Sequence, residues 1–263
     1  SLLSAIFSAA ATEDRLPTGF LDGVISCFHK AGDRSAPANY RPITLLDTDY
    51  RILARVMAAR LRTAFGVCIS PEQTAFLKRR RIADNILLLQ LAPELLRSQQ
   101  KRGCVAFLDF HKAYDTLDRS FLFDCLEALG VGEGFMSWVR RLHAGTRSAA
   151  LVNGHLSAYT PITAGVRQGC PLAPLLYLAP AQALLCWLKS RGYGIPLSPQ
   201  PPGLNLSLSA SQYADDYTQF LRSLEDVPGF LVAMATFGAA SGQKLNRSKS
   251  EVMEIGCTRS EER

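Results

Sequence analysis

Zinc-type spacing is missing from this chain. No two cysteines form a C-x-x-C pair, and the four histidines (His29, His111, His143, His155) do not fall at metal-ligand intervals, which argues against a zinc centre. The seven cysteines (Cys27, Cys68, Cys104, Cys125, Cys170, Cys186, Cys257) are odd in number and dispersed, so buried, reduced thiols in an intracellular compartment are expected. There is no internal repeat and no run of coiled-coil heptads. A clean membrane span is also missing. The longest apolar run, Pro171 to Leu188, carries three prolines and Gln182 and reads as a buried helix. The apolar start, Ser1 to Ala11, lacks the basic flank of a signal peptide. Order is expected to begin at Leu16. No Met opens the chain, so it is expected to be a piece of a longer protein.

What is present fits a folded domain. With 263 residues, 48% apolar and 20% charged, the chain can bury a proper core as one large domain or two intimate subdomains. The net charge of +6 lies wholly in residues 1–107, which hold 15 Lys and Arg against 9 Asp and Glu; residues 108–263 balance at 14 each. A basic lobe joined to a neutral, carboxylate-bearing lobe suits a polyanion held against a metal site, although a solvated basic surface gives the same count.

Tyr213-Ala214-Asp215-Asp216 is the centre of the chain. Leu204 to Ala210 alternates apolar and polar, the period of a half-buried strand, and Tyr217 to Leu221 can return as its partner. Two carboxylates then sit at a hairpin tip with no Gly, Pro or Asn beside them, a poor turn and a good cation site. A second acid stands at a strand end. Gly103 to Leu108 is a short continuous apolar run that reads as a central strand, with Asp109 at its C-terminal mouth. An acid there is seldom buried unless paired or metal-bound. If the two strands are neighbours, three carboxylates converge, and hard oxygen ligands of that kind suit Mg²⁺.

The remaining pattern is helical or turn-like. Gly23 to His29 has strand character, and Asn39 to Leu46 is extended. Asp47 or Thr48 caps a helix to about Phe65, with Ile52, Leu53, Val56, Met57 and Leu61 as its apolar stripe. Arg51, Arg55 and Arg62 share another face, which can track phosphates or simply be the wet side. Lys78-Arg79-Arg80-Arg81 is the densest charge, readable as a nuclear-import signal, a nucleic-acid contact or an exposed run. Asp84 is expected to cap a helix from Asn85 to about Gln100, apolar along Ile86, Leu89, Leu95 and Leu96 and kinked at Pro93. Asp115-Thr116 is expected to cap the next helix, with Phe121, Leu122 and Cys125 inward. A further helix carries Phe135, Trp138, Val139 and Leu142. Asn153-Gly154 signals a type I′ hairpin. Gly165 to Leu172 leads into a helix over Ala173 to Lys189, with backbone N–H groups, Arg167 and Gln168 facing one space. Tyr193 to Gly203 reads as a surface loop. Val227 to Ser241 is helical and ends at Gly242, and Ser250 to Ile255 is a last strand.

In this order the motifs resemble a reverse transcriptase of the non-LTR retrotransposon, LINE-type, family, from about Leu16 to Ile255. They are Lys30-x-Gly32-Asp33, Asn39-Tyr40-Arg41-Pro42-Ile43, Pro71-Glu72-Gln73-Thr74-x-Phe76, Asp84-Asn85-Ile86, Phe107-Leu108-Asp109-Phe110-x-Lys112-Ala113-Tyr114-Asp115, Gly165 to Leu172, Tyr213 to Asp216, and Gly242 with Asn246 and Lys249-Ser250-Glu251. Tyr-Ala-Asp-Asp alone is a weak signal; the ordered set is highly specific.

The resemblance implies an α/β right-hand polymerase fold with fingers and palm and with the thumb largely absent. It divides the chain into an N-terminal extension and basic fingers (1–102), the first catalytic palm strand (103–115), further fingers (116–164), palm with the Asp-Asp hairpin (165–257) and a tail (258–263). It implies RNA-directed DNA synthesis with two Mg²⁺ ions, Mn²⁺ being a substitute. Asp109 and Asp215 would bridge the ions, with Asp216 a looser third and the Phe110 carbonyl auxiliary. Tyr114 resembles the steric gate that favours dNTPs. Lys30 and Arg41 resemble the triphosphate clamp, and Arg167, Gln168 and Gly169 the element lining nucleotide and template. Lys249, with Lys244 as competitor, resembles the proton donor to pyrophosphate. Arg51, Arg55, Lys78, Arg79, Arg80 and Arg81 are candidate nucleic-acid contacts. The implied partners are an RNA template, a DNA primer or target, dNTPs and further domains of the same polyprotein (thumb, endonuclease), with no membrane and a nuclear site of action. Ala173, where relatives often carry Ser, and Pro180 inside the helix are departures. A catalytically silent nucleic-acid-binding relic is the alternative, and an RNA-templated RNA polymerase a third reading.

Overall fold

The computed structural model describes residues 2–13, 15–198 and 206–256. In chain order the elements are α1 (Leu2–Thr12), β1 (Asp22–His29), β2 (Tyr40–Leu46), α2 (Thr48–Cys68), α3 (Ile82–Ser98), β3 (Gly103–Leu108), α4 (Ala113–Thr116), α5 (Arg119–Ala128), α6 (Glu133–His143), β4 (Arg147–Val152), β5 (His155–Leu156), β6 (Thr160–Pro161), α7 (Ala173–Ser190), β7 (Ile195–Pro196), β8 (Ser207–Leu208), β9 (Ala210–Tyr213), β10 (Asp216–Leu221), α8 (Asp226–Ser241) and β11 (Glu251–Ile255).

Two sheets organise the α/β fold. One runs β2-β1-β4-β5, with β6 also on β4; β1 pairs antiparallel with β2 and parallel with β4. The other runs β11-β3-β10-β9 and is antiparallel throughout. In that sheet β3 is central, as its apolar run predicts. Its side chains divide by the strand period: Cys104, Ala106 and Leu108 enter the main core, and Val105 enters a second core with Ala92 and Leu96 of α3. Helix α7 runs through the main core. Its Leu175, Leu176, Leu178, Leu184, Leu185 and Leu188 are almost wholly buried, at about 2 kcal/mol each. That sum outweighs the roughly 3 kcal/mol an internal proline costs, so α7 continues through Pro180. Among the described residues no helix is long and apolar enough to cross a membrane.

Several elements depart from the sequence reading. The chain is ordered before Leu16: α1 buries Ala10 and sets Phe7 edge-on to Phe20, with ring centroids 6.3 Å apart. On α2 the buried stripe is Tyr50, Leu53, Ala54, Met57, Ala58, Leu61 and Phe65, while Ile52 and Val56 stay 37% and 46% exposed. Two alanines let the helix approach closely and so rotate the buried face. Helix α3 starts at Ile82, so Asp84 is its third residue, and the Asp84 carboxylate accepts the Arg81 N–H. Its inward residues are Ala92 and Leu96; Ile86 and Leu95 are exposed. Helix α5 is capped by Asp118, whose Oδ1 accepts the Phe121 N–H at 2.9 Å, rather than by Asp115-Thr116, which sit in the short α4. The stretch after Tyr193 is not wholly loop, since β7 pairs with β8. Residues 199–205, Cys257 and the tail 258–263 lie outside the described residues. Of the described cysteines, Cys104, Cys125 and Cys170 are buried but Cys27, Cys68 and Cys186 are exposed, so the expected burial of every thiol fails.

Candidate active site

The acids meet because β3 and β10 are neighbours. Their register pairs Leu108 with Tyr217, so one step further Asp109 lies opposite Asp216 at the strand ends. Like charges facing each other across an antiparallel pair repel unless a cation joins them. Asp215 occupies the turn between β9 and β10. Ala214, the first turn residue, sits at φ +57°, where a two-residue hairpin usually has Gly. Gln73 holds that strained residue: its Oε1 accepts the Ala214 N–H at 3.0 Å, and its Nε2 donates to the Ala214 carbonyl at 3.4 Å. Thr74 N–H donates to the Gln212 carbonyl, as does Asn85 Nδ2. The Pro71 to Phe76 and Asp84-Asn85 motifs thus brace the Asp-Asp hairpin.

Burial raises the Asp215 pKa above its ordinary value; Asp216 and Asp109 add to the rise, while its own backbone N–H and Lys30 oppose it. Asp216 is raised by its partial burial and then by Asp109. The crowding of three carboxylates, hard oxygen donors only, fits a divalent cation such as Mg²⁺. Among the described residues no three His, Cys, Asp or Glu side chains form a ready-made ion site. Asp109 Oδ2 accepts Asn246 Nδ2 at 2.7 Å. Beyond β3 the Asp109 carbonyl and His111 N–H pair with the segment 244–246, so by strand alternation the Phe110 carbonyl faces the other edge, toward the hairpin.

A cleft of about 960 Å³ opens beside these acids. It is lined by Asp109, Phe110, Tyr114, Asp115, Asp215 and Asn246 on the sheet side and by Lys30, Tyr40 and Arg41 from the β1–β2 arm. Gln168, Gly169 and Lys249 also line it; Lys244 is outside the lining, with its carbonyl on His111 N–H. Asp216 also falls outside it and is exposed. Tyr114 is half-buried, and its ring stacks on that of Tyr177 at 4.6 Å and 20°. Tyr177 is fully buried, and its hydroxyl accepts Gln243 Nε2 at 2.8 Å. Gln168 Nε2 donates to both Asp115 oxygens at 3.1 Å, and burial raises the Asp115 pKa.

Other predicted residues have different places. Arg167 touches the cleft, but its guanidinium donates to the Leu21 carbonyl at 2.6 Å and lies 4.7 Å over the Tyr50 ring; its Nη2 is buried without a partner among the described residues. Arg80 is not a free nucleic-acid contact. It donates to the carbonyls of Ile69, Ser70 and Gln73 and so ties the loop that braces the hairpin. Lys78, Arg79 and Arg81 are exposed, as are Arg51 and Arg55 on α2, and none lines the cleft. Sequence reasoning missed Tyr177, Gln243, Gln73 and Asp115 as site residues. Asp115 and Gln73 each stood inside a motif, Asp115 open to a capping role and Gln73 without an assigned one; Tyr177 and Gln243 carry no local signal.

The sequence of residues 28–261 matches the family described as reverse transcriptase (RNA-dependent DNA polymerase). The chain belongs to the reverse transcriptase family. It is 33% identical over 248 residues to the transposon TX1 uncharacterized 149 kDa protein of Xenopus laevis, covering 93% of this chain and 18% of that protein. It is 32% identical over 239 residues to a retrovirus-related Pol polyprotein from the type-1 retrotransposable element R2 of Popillia japonica, covering 87% and 31%. These relatives make it a reverse transcriptase domain of the non-LTR retrotransposon kind. Among solved structures, apo telomerase from Candida tropicalis truncated from the C-terminal domain superposes with TM-score 0.62 at 11% identity, over 98% of this chain and 56% of that one. The RNA-dependent RNA polymerase of a human picobirnavirus gives 0.54 at 13%, over 88% and 40%. Both share the right-hand polymerase fold.

Gly169 fastens this reverse transcriptase domain's cleft wall to its β1–β2 arm. The Gln168 carbonyl accepts the Thr44 N–H at 2.7 Å, Gly169 sits at φ +112°, and a Cβ there would lie 2.3 Å from the Thr44 carbonyl oxygen. Neither a flexible side chain nor an ordinary rotamer change relieves that contact. Gly169→Ala is expected to cost about 2–3 kcal/mol, read as a lower urea midpoint. An unchanged midpoint would show that the loop does not dock on β2 in solution.

Proposed function

We propose that the cleft performs RNA-templated DNA synthesis, joining a dNTP to a primer 3′-OH. The observation that carries this reading is that Asp109 and Asp215 line one cleft with Lys30, Arg41, Tyr114 and Gln168, while the register of β3 and β10 sets Asp216 opposite Asp109. Asp109 and Asp215 would hold two Mg²⁺ ions, Mn²⁺ substituting, with Asp216 and the Phe110 carbonyl as further oxygens. Ions bound there would lower the pKa of the attacking hydroxyl and offset the charge that develops on the α-phosphate and leaving oxygen. Lys30 and Arg41 bind the triphosphate as cations on a hairpin arm. Tyr114 blocks a ribose 2′-OH, and Tyr177 keeps its ring from retreating. Gln168, oriented by Asp115, and Gly169 line the nucleotide and template. Lys249, at the cleft edge, donates a proton to leaving pyrophosphate. The exposed Arg51, Arg55, Lys78, Arg79 and Arg81 contact the nucleic-acid backbone; Arg80 does not.

The chain spans 18% and 31% of the length of the two relatives described above. In this reading the natural protein also carries thumb and endonuclease segments and acts in the nucleus at a DNA target. The test is extension of a labelled DNA primer on an RNA template by the full-length protein with Mg²⁺. Extension with dNTPs and not with rNTPs is expected. Extension with rNTPs alone would point to an RNA polymerase, and primer–template binding without extension to a silent binder.

A further inference from the structure

Asn246 opens the turn that carries Lys249, since the Lys249 N–H donates to its carbonyl at 3.1 Å. Its two nitrogen donors are spent on Asp109. The Asn246 N–H donates to the Asp109 carbonyl at 2.7 Å, and Nδ2 donates to Asp109 Oδ2 at 2.7 Å. Ser248 Oγ donates to Asn246 Oδ1 at 2.8 Å, which fixes which end of the amide faces the acid. Ser250 Oγ donates to the Asn246 carbonyl at 2.9 Å and accepts the Asp109 N–H at 3.2 Å. Asn246 is only 6% exposed, so these bonds are shielded from competing water.

Asp109 is therefore held at its N–H, its carbonyl and one carboxylate oxygen. We propose that Asn246 is a positioning residue for a cation-binding acid. It holds one oxygen of Asp109 so that the other is presented to a divalent cation, and it ties that placement to the turn bearing Lys249. The inference rests on the proposed function, because it needs Asp109 to be a ligand. The physical reason is orientational. A carboxylate free to turn about its χ angles must be ordered by the ion, whereas one pinned by a buried N–H donor is ordered beforehand. Groups that hydrogen-bond a ligand commonly shift metal affinity about 10- to 100-fold. If Asn246 only held the turn, its loss would change stability and leave cation affinity alone.

The probe is Mn²⁺, titrated into the full-length protein and followed by the paramagnetic resonance of the free ion. Sites lost in Asp215→Asn define the ions bound at the cleft. Asn246→Ala is expected to raise the Kd of those ions about tenfold. Ser248→Ala removes an exposed hydroxyl and frees the amide to turn; it is expected to fold like the parent and raise the Kd about threefold. An unchanged Mn²⁺ Kd in Ser248→Ala together with a folded, unchanged Asn246→Ala overturns the proposal. Should Asn246→Ala fail to fold, Ser248→Ala decides by itself. If Asp215→Asn leaves Mn²⁺ binding intact, the metal-site reading fails first, an outcome separate from failure of the Asn246 role.

Discussion

Asp215→Asn in the full-length protein is expected to lower Mg²⁺-dependent dNTP incorporation about a thousandfold, about 4 kcal/mol of transition-state stabilisation. Asn keeps the volume and one acceptor oxygen at the hairpin tip but removes the charge that would hold a cation. The same substitution should not weaken the fold. Burial, with Asp216 and Asp109 adding to it, raises the Asp215 pKa, so folding disfavours the ionised form. At pH 7, well above the ordinary carboxylate range, the ionised side chain is a burden on the native state, and a neutral one removes that burden. The thermal midpoint in metal-free buffer should therefore rise while activity falls. Near-parental incorporation would remove Asp215 from the chemistry, and a fall in midpoint together with activity would mean that the acid serves the fold instead.

The second large effect concerns sugar choice. Tyr114→Val is expected to raise rNTP use relative to dNTP about 10- to 100-fold, the range that one steric contact supplies. In the proposed reading the stacked Tyr177 ring would keep Tyr114 rigid enough to discriminate, because a ring with empty space behind it would swing away from a 2′-OH. Tyr177→Phe keeps the stack and loses only the Gln243 hydrogen bond, so its discrimination should stay near parental. Competition between labelled dNTP and rNTP on one primer–template measures both variants. Equal discrimination by Tyr114→Val and the parent would show that the gate lies elsewhere.

Local chemistry explains which parts were legible in advance. Strand β3 is apolar at every step because it is covered on both faces, and that run ends at Asp109. Helix α7 could be recognised from its leucines despite Pro180. The Asn153-Gly154 turn follows from two adjacent positive φ angles, +49° and +81°. Helix starts were less legible. The sequence puts the cap at Asp115-Thr116, but these residues belong to the short α4, and Asp118 caps α5 while Asp115 accepts Gln168. Arg80 shows the same limit. Four adjacent basic residues look alike in sequence, yet only Arg80 is turned inward, by three carbonyls of the loop before it.

By itself the sequence determined the family, the order of motifs, the central strand and the chemical type of the cleft: oxygen donors, cations and aromatic rings. Those properties sit in single residues or in short periodic runs. Tertiary structure alone decided that β3 and β10 are neighbours, that Gln73 holds the strained Ala214, that Tyr177 backs Tyr114, and that Asn246 grips Asp109. Each of these joins groups that lie far apart along the chain. Such contacts leave no periodicity behind, because a carbonyl is the same at every residue and only the fold selects which one a side chain meets.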